Sequence, residues 1–226
     1  MLKQIKVDKW LSSELNQKVY FIQNDIDLKK NDVINSIKSF IEKLKNSKCF
    51  VYSKIDTKDI KKVHFFENLG FKVVDTNITF ETKQLIDQKS INNNINFEFA
   101  KKSYQKSIFK IAHDNFLYSR FHLDPDIENS IASKIKGNWA KNFFYGKRGD
   151  KMVVALRSQS PVGFVQLIEK KDNLIIDLIA VDKNFQGKKI ASGMISFIEK
   201  KLNFRNFTVG TQISNVPSIR LYEKIG

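Results

Sequence analysis

The sequence is poor in cysteine, histidine and proline and has no long apolar run. Its 226 residues include one Cys, three His and three Pro. A single cysteine excludes an intramolecular disulfide, and the scattered histidines give no metal-ligand spacing, so we expect no metal site. No stretch approaches the about 18 apolar residues of a membrane span, and the first residues form no apolar signal segment. We therefore expect a cytoplasmic protein without membrane insertion.

Arginine is also scarce, although basic residues are abundant. The chain has 39 Lys and Arg against 24 Asp and Glu, a formal net charge of +15, yet only five of the basic residues are Arg. Such an excess points first to an anionic partner such as nucleic acid. Proteins that read nucleic acids depend on the fork of Arg, however, and here Lys is spread along the whole chain. We therefore expect a solvated lysine surface and no nucleic-acid partner.

The chain has enough apolar material to fold around a core. Hydrophobic residues make up 42% of it and include 19 Phe, which excludes a disordered chain. Its length fits one large domain or two small ones. Residues 87–96 are polar and repetitive and read as a linker. The sequence thus predicts a boundary near residue 92, with domains at 1–92 and 93–226.

The pattern in the first part alternates strands and helices. It predicts strands at 18–22, 49–53 and 71–75 and helices at 31–44 and 59–69. Cys49 opens an apolar run, which favours a buried strand thiol over a nucleophile. In the second part we expect strands at 97–100, 152–157, 162–169, 174–181 and 207–213, helices at 103–116, 126–144, 189–202 and 217–224, and an irregular segment at 118–125.

A short internal repeat relates the two parts. Residues 64–70 match residues 220–226 in pattern, and each segment follows a strand. The match indicates two related αβ halves, of which the first has degenerated.

The most informative segment is residues 178–193, where an apolar strand leads through a loop with Gly and Lys into a helix. Free backbone N–H groups at a helix start and the helix dipole favour an anion there. Small residues let a phosphate approach the backbone, and Lys188 and Lys189 add positive charge. The alternative is an ordinary strand–loop–helix connection with surface lysines.

This segment resembles motif A of the GCN5-related N-acetyltransferases (GNAT), whose pattern is Arg/Gln-x-x-Gly-x-Gly/Ala. Gln186 and Ala191 match, whereas Lys189 stands where the family usually has Gly. A Lys still donates its backbone N–H, so we expect binding to be kept. The resemblance implies that the loop holds the pyrophosphate of acetyl-CoA and that the strand before it polarises the thioester. The implied cofactor residues are Ile179, Ala180, Val181, Gln186, Gly187, Lys188, Lys189, Ile190, Ala191 and Ser192.

The C-terminal residues resemble motif B of the same family. Asn215 stands where the family has an Asn that contacts the cofactor, and Arg220 is a further candidate for its phosphates. Tyr222 stands where a Tyr often protonates the departing thiolate, although it could also be an amphipathic core residue. The first half has Phe66 at the equivalent place and lacks the motif A loop, so we expect it to bind no cofactor and to serve as scaffold and substrate wall.

The resemblance implies an α/β (α+β) GNAT fold, in which helices flank a central mixed twisted sheet, preceded here by the smaller degenerate αβ half. Family members carry a further strand after the last helix, but this chain stops at Gly226. We therefore expect either a truncated sequence or a sheet without that edge strand.

A narrower likeness concerns the acceptor. The degenerate first half, residues 119–125, a helix containing Trp139 and a strand at 163–165 resemble the dTDP-fucosamine acetyltransferases of surface-polysaccharide and lipopolysaccharide synthesis. This implies direct transfer of acetyl to the amine of a dTDP-linked amino sugar. Arg120, His122 and Asp124 are the implied acceptor contacts. For the general base, Asp177, Asp75 and a water relay all remain open.

Two other functions stay open at this point. The same fold could acetylate a protein N-terminus, a polyamine or an antibiotic. A non-enzymatic nucleic-acid or scaffold protein would need Arg-rich patches with exposed aromatics, which five scattered Arg do not supply. The favoured partner is a small-molecule substrate, and a homodimer is compatible with this view.

Overall fold

The computed structural model describes residues 3–86 and 94–226, which separate into two compact units. The first unit is Met1–Val73 and the second is Val74–Gly226. The boundary expected near residue 92 falls on residues 87–93, outside the described residues. The compact units divide earlier than that, because the strand Asn77–Thr82 pairs with a strand of the second unit.

The first unit contains a three-stranded sheet. Its elements are β1 (Ile5–Val7), α1 (Lys9–Leu15), β2 (Lys18–Ile22), α2 (Asn31–Leu44), β3 (Cys49–Ser53) and α3 (Ile60–Glu67). The central strand β2 is antiparallel to β1 and parallel to β3. The expected β2, α2 and β3 are confirmed. The expected strand at 71–75 is wrong, because Phe71 packs its ring 5.0 Å from that of Phe66 instead and Val73 is exposed.

Local hydrogen bonds explain two helix starts in this unit. Asp8 accepts the backbone N–H of Leu11 at 2.9 Å, and Asp59 accepts that of Lys62 at 3.2 Å. Cys49 lies half-buried at the start of β3, as expected of a strand thiol. Burial raises the pKa of its thiol and so disfavours the nucleophilic thiolate.

The second unit contains a six-stranded mixed sheet flanked by helices, as expected. Its elements are β4 (Asn77–Thr82), β5 (Asn96–Phe99), α4 (Gln105–Asn115), α5 (Arg120–Leu123), α6 (Asn129–Lys141), β6 (Lys151–Arg157), β7 (Ser160–Lys170), β8 (Asn173–Val181), α7 (Ile190–Lys201), β9 (Asn206–Gln212) and α8 (Val216–Ile225). The strand order is β4-β9-β8-β7-β6-β5. All neighbours are antiparallel except β8 and β9, which α7 connects.

The sheet of the second unit has a separate apolar core on each face. On one face α7 and α8 contribute Ile190, Met194 and Tyr222 to a cluster with Val165 of β7. On the other face α4 and α6 pack against the sheet, for example through Ile108. The two clusters place the start of α7 and the α5–α6 region on opposite faces of β8.

Two expectations for this unit need correction. Residues 118–125 are not wholly irregular, because the N–H groups of His122 and Leu123 donate to the carbonyl of Ser119 and form the one-turn helix α5. The edge beside β9 is not bare. It is occupied by β4, which precedes the acetyltransferase-like region in sequence and pairs with β9 from Phe207 to Gln212.

The internal repeat extends beyond the segments that suggested it. Both β2–α2–β3–α3 and β8–α7–β9–α8 run from a strand through a helix to a parallel neighbour and then to a second helix. Residues 39–43 in α2 and 196–200 in α7 have the same sequence, Ser-Phe-Ile-Glu-Lys. The connections 23–30 and 182–189 that lead into these helices are equal in length.

Candidate functional site

The centre of the second unit has a gap between β8 and β9. The two strands pair only from Asn173 opposite Asn206 to Ile176 opposite Val209. Beyond this point β8 continues to Val181 and β9 to Gln212 without pairing to each other. The backbone groups of β8 that face the gap are therefore open to a ligand. Ile179, Ala180 and Val181 lie on this stretch, where the sequence places the thioester.

A bulge in β8 marks the start of the gap. Leu167 pairs with Ile176 and Gln166 pairs with Leu178, so Asp177 is an extra residue on β8. Bulges bend a strand and redirect its side chains. Because of the bulge, Asp177 and the following Leu178 face the same side, the one that carries α6, where the Asp177 carboxylate meets Trp139.

The connection after β8 is held by its own side chains. Gln186 Nε2 donates to the carbonyl of Val181 at 3.0 Å, and Lys188 Nζ donates to the carbonyl of Asn184 at 2.9 Å. The carboxylate of Asp182 accepts the backbone N–H of Asn184 at 2.9 Å. Gln186 thus fixes the loop to the strand end and does not occupy the start of α7.

The start of α7 has the geometry of an anion site. Gly187 and Lys189 have positive φ angles of 74° and 59°. No side chain caps the helix at Lys189, and the first intrahelical bond runs from the N–H of Gly193 to Lys189. The N–H groups of residues 190–192 therefore have no partner within the helix, and the dipole adds positive potential.

The positive φ of Lys189 explains the family preference for Gly at this position. Only Gly adopts the left-handed region without a steric cost. Lys189 takes this left-handed conformation, with φ 59° and ψ 20°, immediately before the first N–H groups of α7.

The predicted cofactor residues in α7 differ in what they offer. The side chain of Ile190 is in the apolar core, and Ser192 is buried. These two residues present backbone N–H groups rather than side chains to a ligand. Lys188 and Lys189 are exposed and supply charge, with Lys188 Nζ 5.1 Å from the ring centre of Phe185.

The predicted residues of the β9–α8 region have separate roles. Asn215 begins α8 by accepting the N–H of Ser218 at 3.3 Å, and its Nδ2 donates to Thr211 at 3.2 Å. Arg220 lies exposed on α8. Asn215 therefore holds the chain just after β9, beyond the last residue pair between β8 and β9.

Tyr222 is buried in the apolar core on the side of the sheet that carries α7 and α8. It belongs to the same apolar cluster as Ile176 and Val209, the last pair before β8 and β9 separate. Its ring centre lies 5.7 Å from that of Phe80. Burial raises the pKa of the Tyr222 hydroxyl, against the smaller effect of a hydrogen bond with Ser218. The hydroxyl therefore stays protonated at neutral pH and is a weaker acid than that of an exposed Tyr.

The carboxylate of Asp177 is fully engaged. Its Oδ2 accepts hydrogen bonds from Trp139 Nε1 at 2.9 Å, Arg148 Nε at 2.9 Å and Gln166 Nε2 at 2.8 Å. Its Oδ1 accepts from Arg148 Nη2 at 2.5 Å. A carboxylate that holds four donors has little capacity to take a proton from a substrate. This geometry favours a structural role for Asp177 over that of the general base.

The predicted acceptor residues lie on and beside α5. The two ring nitrogens of His122 lie 2.7 Å from Ser119 Oγ and 3.3 Å from Ser133 Oγ. Burial first, and then the charges of Lys136 and His113, lower the pKa of His122. The guanidinium of Arg120 lies over the ring of Phe121, and Asp124 Oδ1 accepts the N–H of Asp126 at 3.0 Å.

One hydrogen bond connects this region to the loop before α7. The backbone N–H of Lys183 donates to Asn115 Oδ1 at 2.8 Å. Asn115 ends α4 and immediately precedes the segment that leads to α5. The loop at the end of β8 therefore contacts the end of α4, five residues before α5 begins.

Sequence reasoning missed Arg148, Gln166 and the role of Trp139 in holding Asp177. Only a weak signal was available: Arg is scarce and its fork suits a two-bond contact with a carboxylate, but no pattern distinguishes Arg148 from the other four Arg. Among residues 3–86 and 94–226, no helix is long and apolar enough to cross a membrane. The same residues contain no group of three His, Cys, Asp or Glu side chains placed to hold a metal ion.

Comparison with known proteins agrees with this geometry. The model of the acetyltransferase (GNAT) family matches residues 107–226. The spore coat polysaccharide biosynthesis protein SpsD of Bacillus subtilis (strain 168) is 36% identical over 124 residues, which cover 54% of this chain and 43% of SpsD. The match thus spans less than half the length of this curated relative.

Solved structures share the fold over nearly the whole chain. A GCN5-related N-acetyltransferase from Sphaerobacter thermophilus has a TM-score of 0.59 at 12% identity and covers 92% of this chain and 70% of its own. A functionally unknown conserved protein from Staphylococcus epidermidis ATCC 12228 has a TM-score of 0.56 at 16% identity, covering 93% and 81%. At these identities the likeness concerns the fold alone.

Proposed function

The chain belongs to the acetyltransferase (GNAT) family, and we propose that it transfers the acetyl group of acetyl-CoA to a primary amine. One observation carries the proposal: the gap between β8 and β9 leads directly to a helix start with unpartnered N–H groups. A narrow cleft followed by an anion site fits a ligand with an extended arm and a pyrophosphate.

The residues present fit the two parts of that ligand. The N–H groups of residues 190–192 would hold the pyrophosphate, with charge from Lys188 and Lys189. The open backbone of β8 at residues 178–181 would receive the thioester arm. Arg220 and Asn215 stay predictions for further contacts.

The chain's own groups supply the chemistry of a direct transfer. The N–H groups near Ile179–Val181 polarise the thioester carbonyl while the acceptor nitrogen, as a free amine, forms a bond to its carbon. The carbon–sulfur bond breaks, Tyr222 gives its proton to the departing thiolate, and the tyrosinate regains a proton as the new amide nitrogen releases its second proton. The proton lost by the ammonium goes to solvent, because Asp177 is engaged by four donors.

We further propose that the acceptor is the amine of a nucleotide-linked amino sugar. Support comes from the polysaccharide role in the name of the B. subtilis relative and from the likeness to dTDP-fucosamine acetyltransferases. The end of α4, which leads into the α5 region, contacts the loop before α7, and this is consistent with an acceptor bound near that loop.

The test is a panel of acceptors offered with acetyl-CoA. We expect acetylated product, identified by mass, from dTDP-4-amino-4,6-dideoxygalactose. Product from an N-terminal peptide, spermidine or an aminoglycoside alone would keep the acetyl transfer and replace the sugar. Binding of DNA in low salt, with no thermal stabilisation by acetyl-CoA, would overturn the enzyme proposal.

A further inference from the structure

Arg148 occupies an unusual position on the α6 face of β8. Its Nε and Nη2 both bind the carboxylate of Asp177, the extra residue at which β8 and β9 separate. The centre of its guanidinium lies 4.4 Å from the ring centre of Trp139. The carboxylate and the indole thus fix the plane of the guanidinium from two directions.

This arrangement leaves one edge of the guanidinium unused. The side chain of Arg148 is 42% exposed, whereas that of Asp177 is 6% exposed. Among the described residues, no acceptor lies within hydrogen-bond distance of Arg148 Nη1. A fixed fork with a free, solvent-facing edge is the geometry with which Arg binds phosphate.

The surroundings carry more positive than negative charge. Lys136 Nζ lies 4.9 Å from the same indole ring centre, so two cations share Trp139. The carboxylate of Asp177 already holds Arg148 and two neutral donors.

Buried support residues indicate that the cluster is built rather than incidental. Gln166 is fully buried, donates its Nε2 to Asp177 at 2.8 Å, and has no partner for its Oε1 among the described residues. Gly149 leaves room for Gln166, because a Cβ on Gly149 would lie 2.8 Å from Gln166 Cγ. Burial of the Gln166 amide with an unpartnered oxygen costs free energy. That cost indicates that the position of the Asp177 carboxylate, and so of Arg148, matters.

We propose that Arg148, held in place by Asp177 and Trp139, binds a phosphate group of the acceptor at the start of the β8–β9 gap. This inference rests on the proposed transfer to a nucleotide-linked amino sugar and assigns the residue that recognises its diphosphate. Arg120, the residue expected for this role, instead has its guanidinium over Phe121. Asp177 is then a positioning residue for the acceptor site.

The experiment measures binding to the full chain saturated with coenzyme A, so that the anion site of α7 is filled. Inorganic pyrophosphate, dTDP and thymidine are titrated by calorimetry into the unmodified protein, Arg148→Gln, Arg148→Lys, Asp177→Asn and Arg205→Gln. Arg205 is the matched control, because it is an exposed arginine with an acidic partner, Asp172 at 3.8 Å. Thermal midpoints establish that each variant is folded.

We expect pyrophosphate and dTDP to bind and thymidine not to. Arg148→Gln should weaken both by about 10-fold or more, since a charge-assisted two-bond contact is lost. Arg148→Lys should give a smaller loss of affinity, because it keeps the positive charge without the forked guanidinium. Asp177→Asn should also give a smaller loss, because it weakens the contact that positions the Arg148 side chain. Arg205→Gln should change nothing.

Three results would overturn the assignment: no binding of dTDP or pyrophosphate at millimolar concentration, equal losses in Arg148→Gln and Arg205→Gln, or equal binding by thymidine. Should Arg148→Gln fail to fold, the comparison of Arg148→Lys with the control decides. Failure of coenzyme A to bind would count against the proposed function and is observed separately, before any acceptor probe is added.

Discussion

The starts of α2 and α7 occupy equivalent places in the repeated fold but differ in the charge of the residues around them. Both helices follow connections of equal length that end in two lysines and join parallel strands. Before α2, Asp27 accepts the N–H of Lys29 at 3.0 Å, and Asp32 lies in the first turn. Before α7, Gln186 turns back to β8, and the first turn holds no acidic residue.

This difference separates the shape of a site from its ability to bind. A carboxylate in the first turn already satisfies the helix dipole and repels a phosphate. The conformation differs too, because Lys30 before α2 has a φ of −97°, whereas Lys189 has a φ of 59°. The repeated fold therefore provides the scaffold, and a few residues at one helix start decide whether an anion binds.

The largest expected effect concerns the hydroxyl that distinguishes Tyr222 from its counterpart Phe66. Both side chains are buried at equivalent places of the repeat. Tyr222→Phe should lower turnover about 100-fold, because a general acid is lost, and should leave acetyl-CoA affinity nearly unchanged. Steady-state kinetics and calorimetry measure the two quantities. Phe66→Tyr is the matched change, and an unaltered turnover number in Tyr222→Phe would reject Tyr222 as the acid.

The second test transfers the acidic residue of α2 to α7. Ala191 is the second residue of α7, as Asp32 is of α2. Ala191→Asp should weaken coenzyme A binding about 100-fold through charge repulsion at the pyrophosphate, while the helix dipole keeps the thermal stability. Ala191→Asn, of the same size without charge, should weaken binding much less. Equal losses in the two variants would mean that size and not charge matters.

The third test adds a methyl group to the loop. Leu28 stands in the first connection where Gly187 stands in the second. Gly187 has a φ of 74° and open space around a Cβ, so Gly187→Ala acts on the backbone alone. We expect about 10-fold weaker coenzyme A binding, since the loop must leave its left-handed conformation or pay about 1 kcal/mol. Gly146→Ala, at φ 63° after α6 and also in open space, should cost similar stability without changing coenzyme A binding.

The smallest expected effect is a gain. Lys189→Gly removes the steric cost of a left-handed Lys, about 1 kcal/mol, and should raise the thermal midpoint by about 2–4 °C. Lys30→Gly, at an extended φ, should lower it slightly because Gly only adds freedom to the unfolded chain. A fall in both midpoints would show that the side chain of Lys189 makes contacts worth more than the strain.

The sequence predicted those parts of the molecule that depend on local pattern. The strands β2, β3 and β6–β9 and the helices α2, α4 and α7 follow from periodicity and from stop residues, with ends shifted by a few residues. The strand β4 was missed, because only its pairing with the distant β9 defines it as an edge strand. The short β1 and the helix α1 carry too few residues for a periodic signal.

The same distinction holds for the site. The loop before α7 was predicted because its residues are consecutive. The contacts of Asp177 with Trp139 and Arg148 were not, since they join separate elements and depend on a bulge that no short pattern indicates. The sequence pattern left Asp177 as a candidate base, whereas its hydrogen bonds in the structure favour a role in holding Arg148.

The bulge at Asp177 also changes which residues of β8 face each side of the sheet, so that alternation is reversed after it. Before it, the even-numbered Leu174 and Ile176 face the cluster of α7 and α8; after it, the even-numbered Leu178 and Ala180 face that of α4. Deletion of Asp177 would remove the bulge and keep Leu178 and Ala180 on their present face, whereas deletion of Ile179 would turn Ala180 to the wrong face. The length of β8 beyond the bulge should therefore be more tightly constrained than the bulge itself.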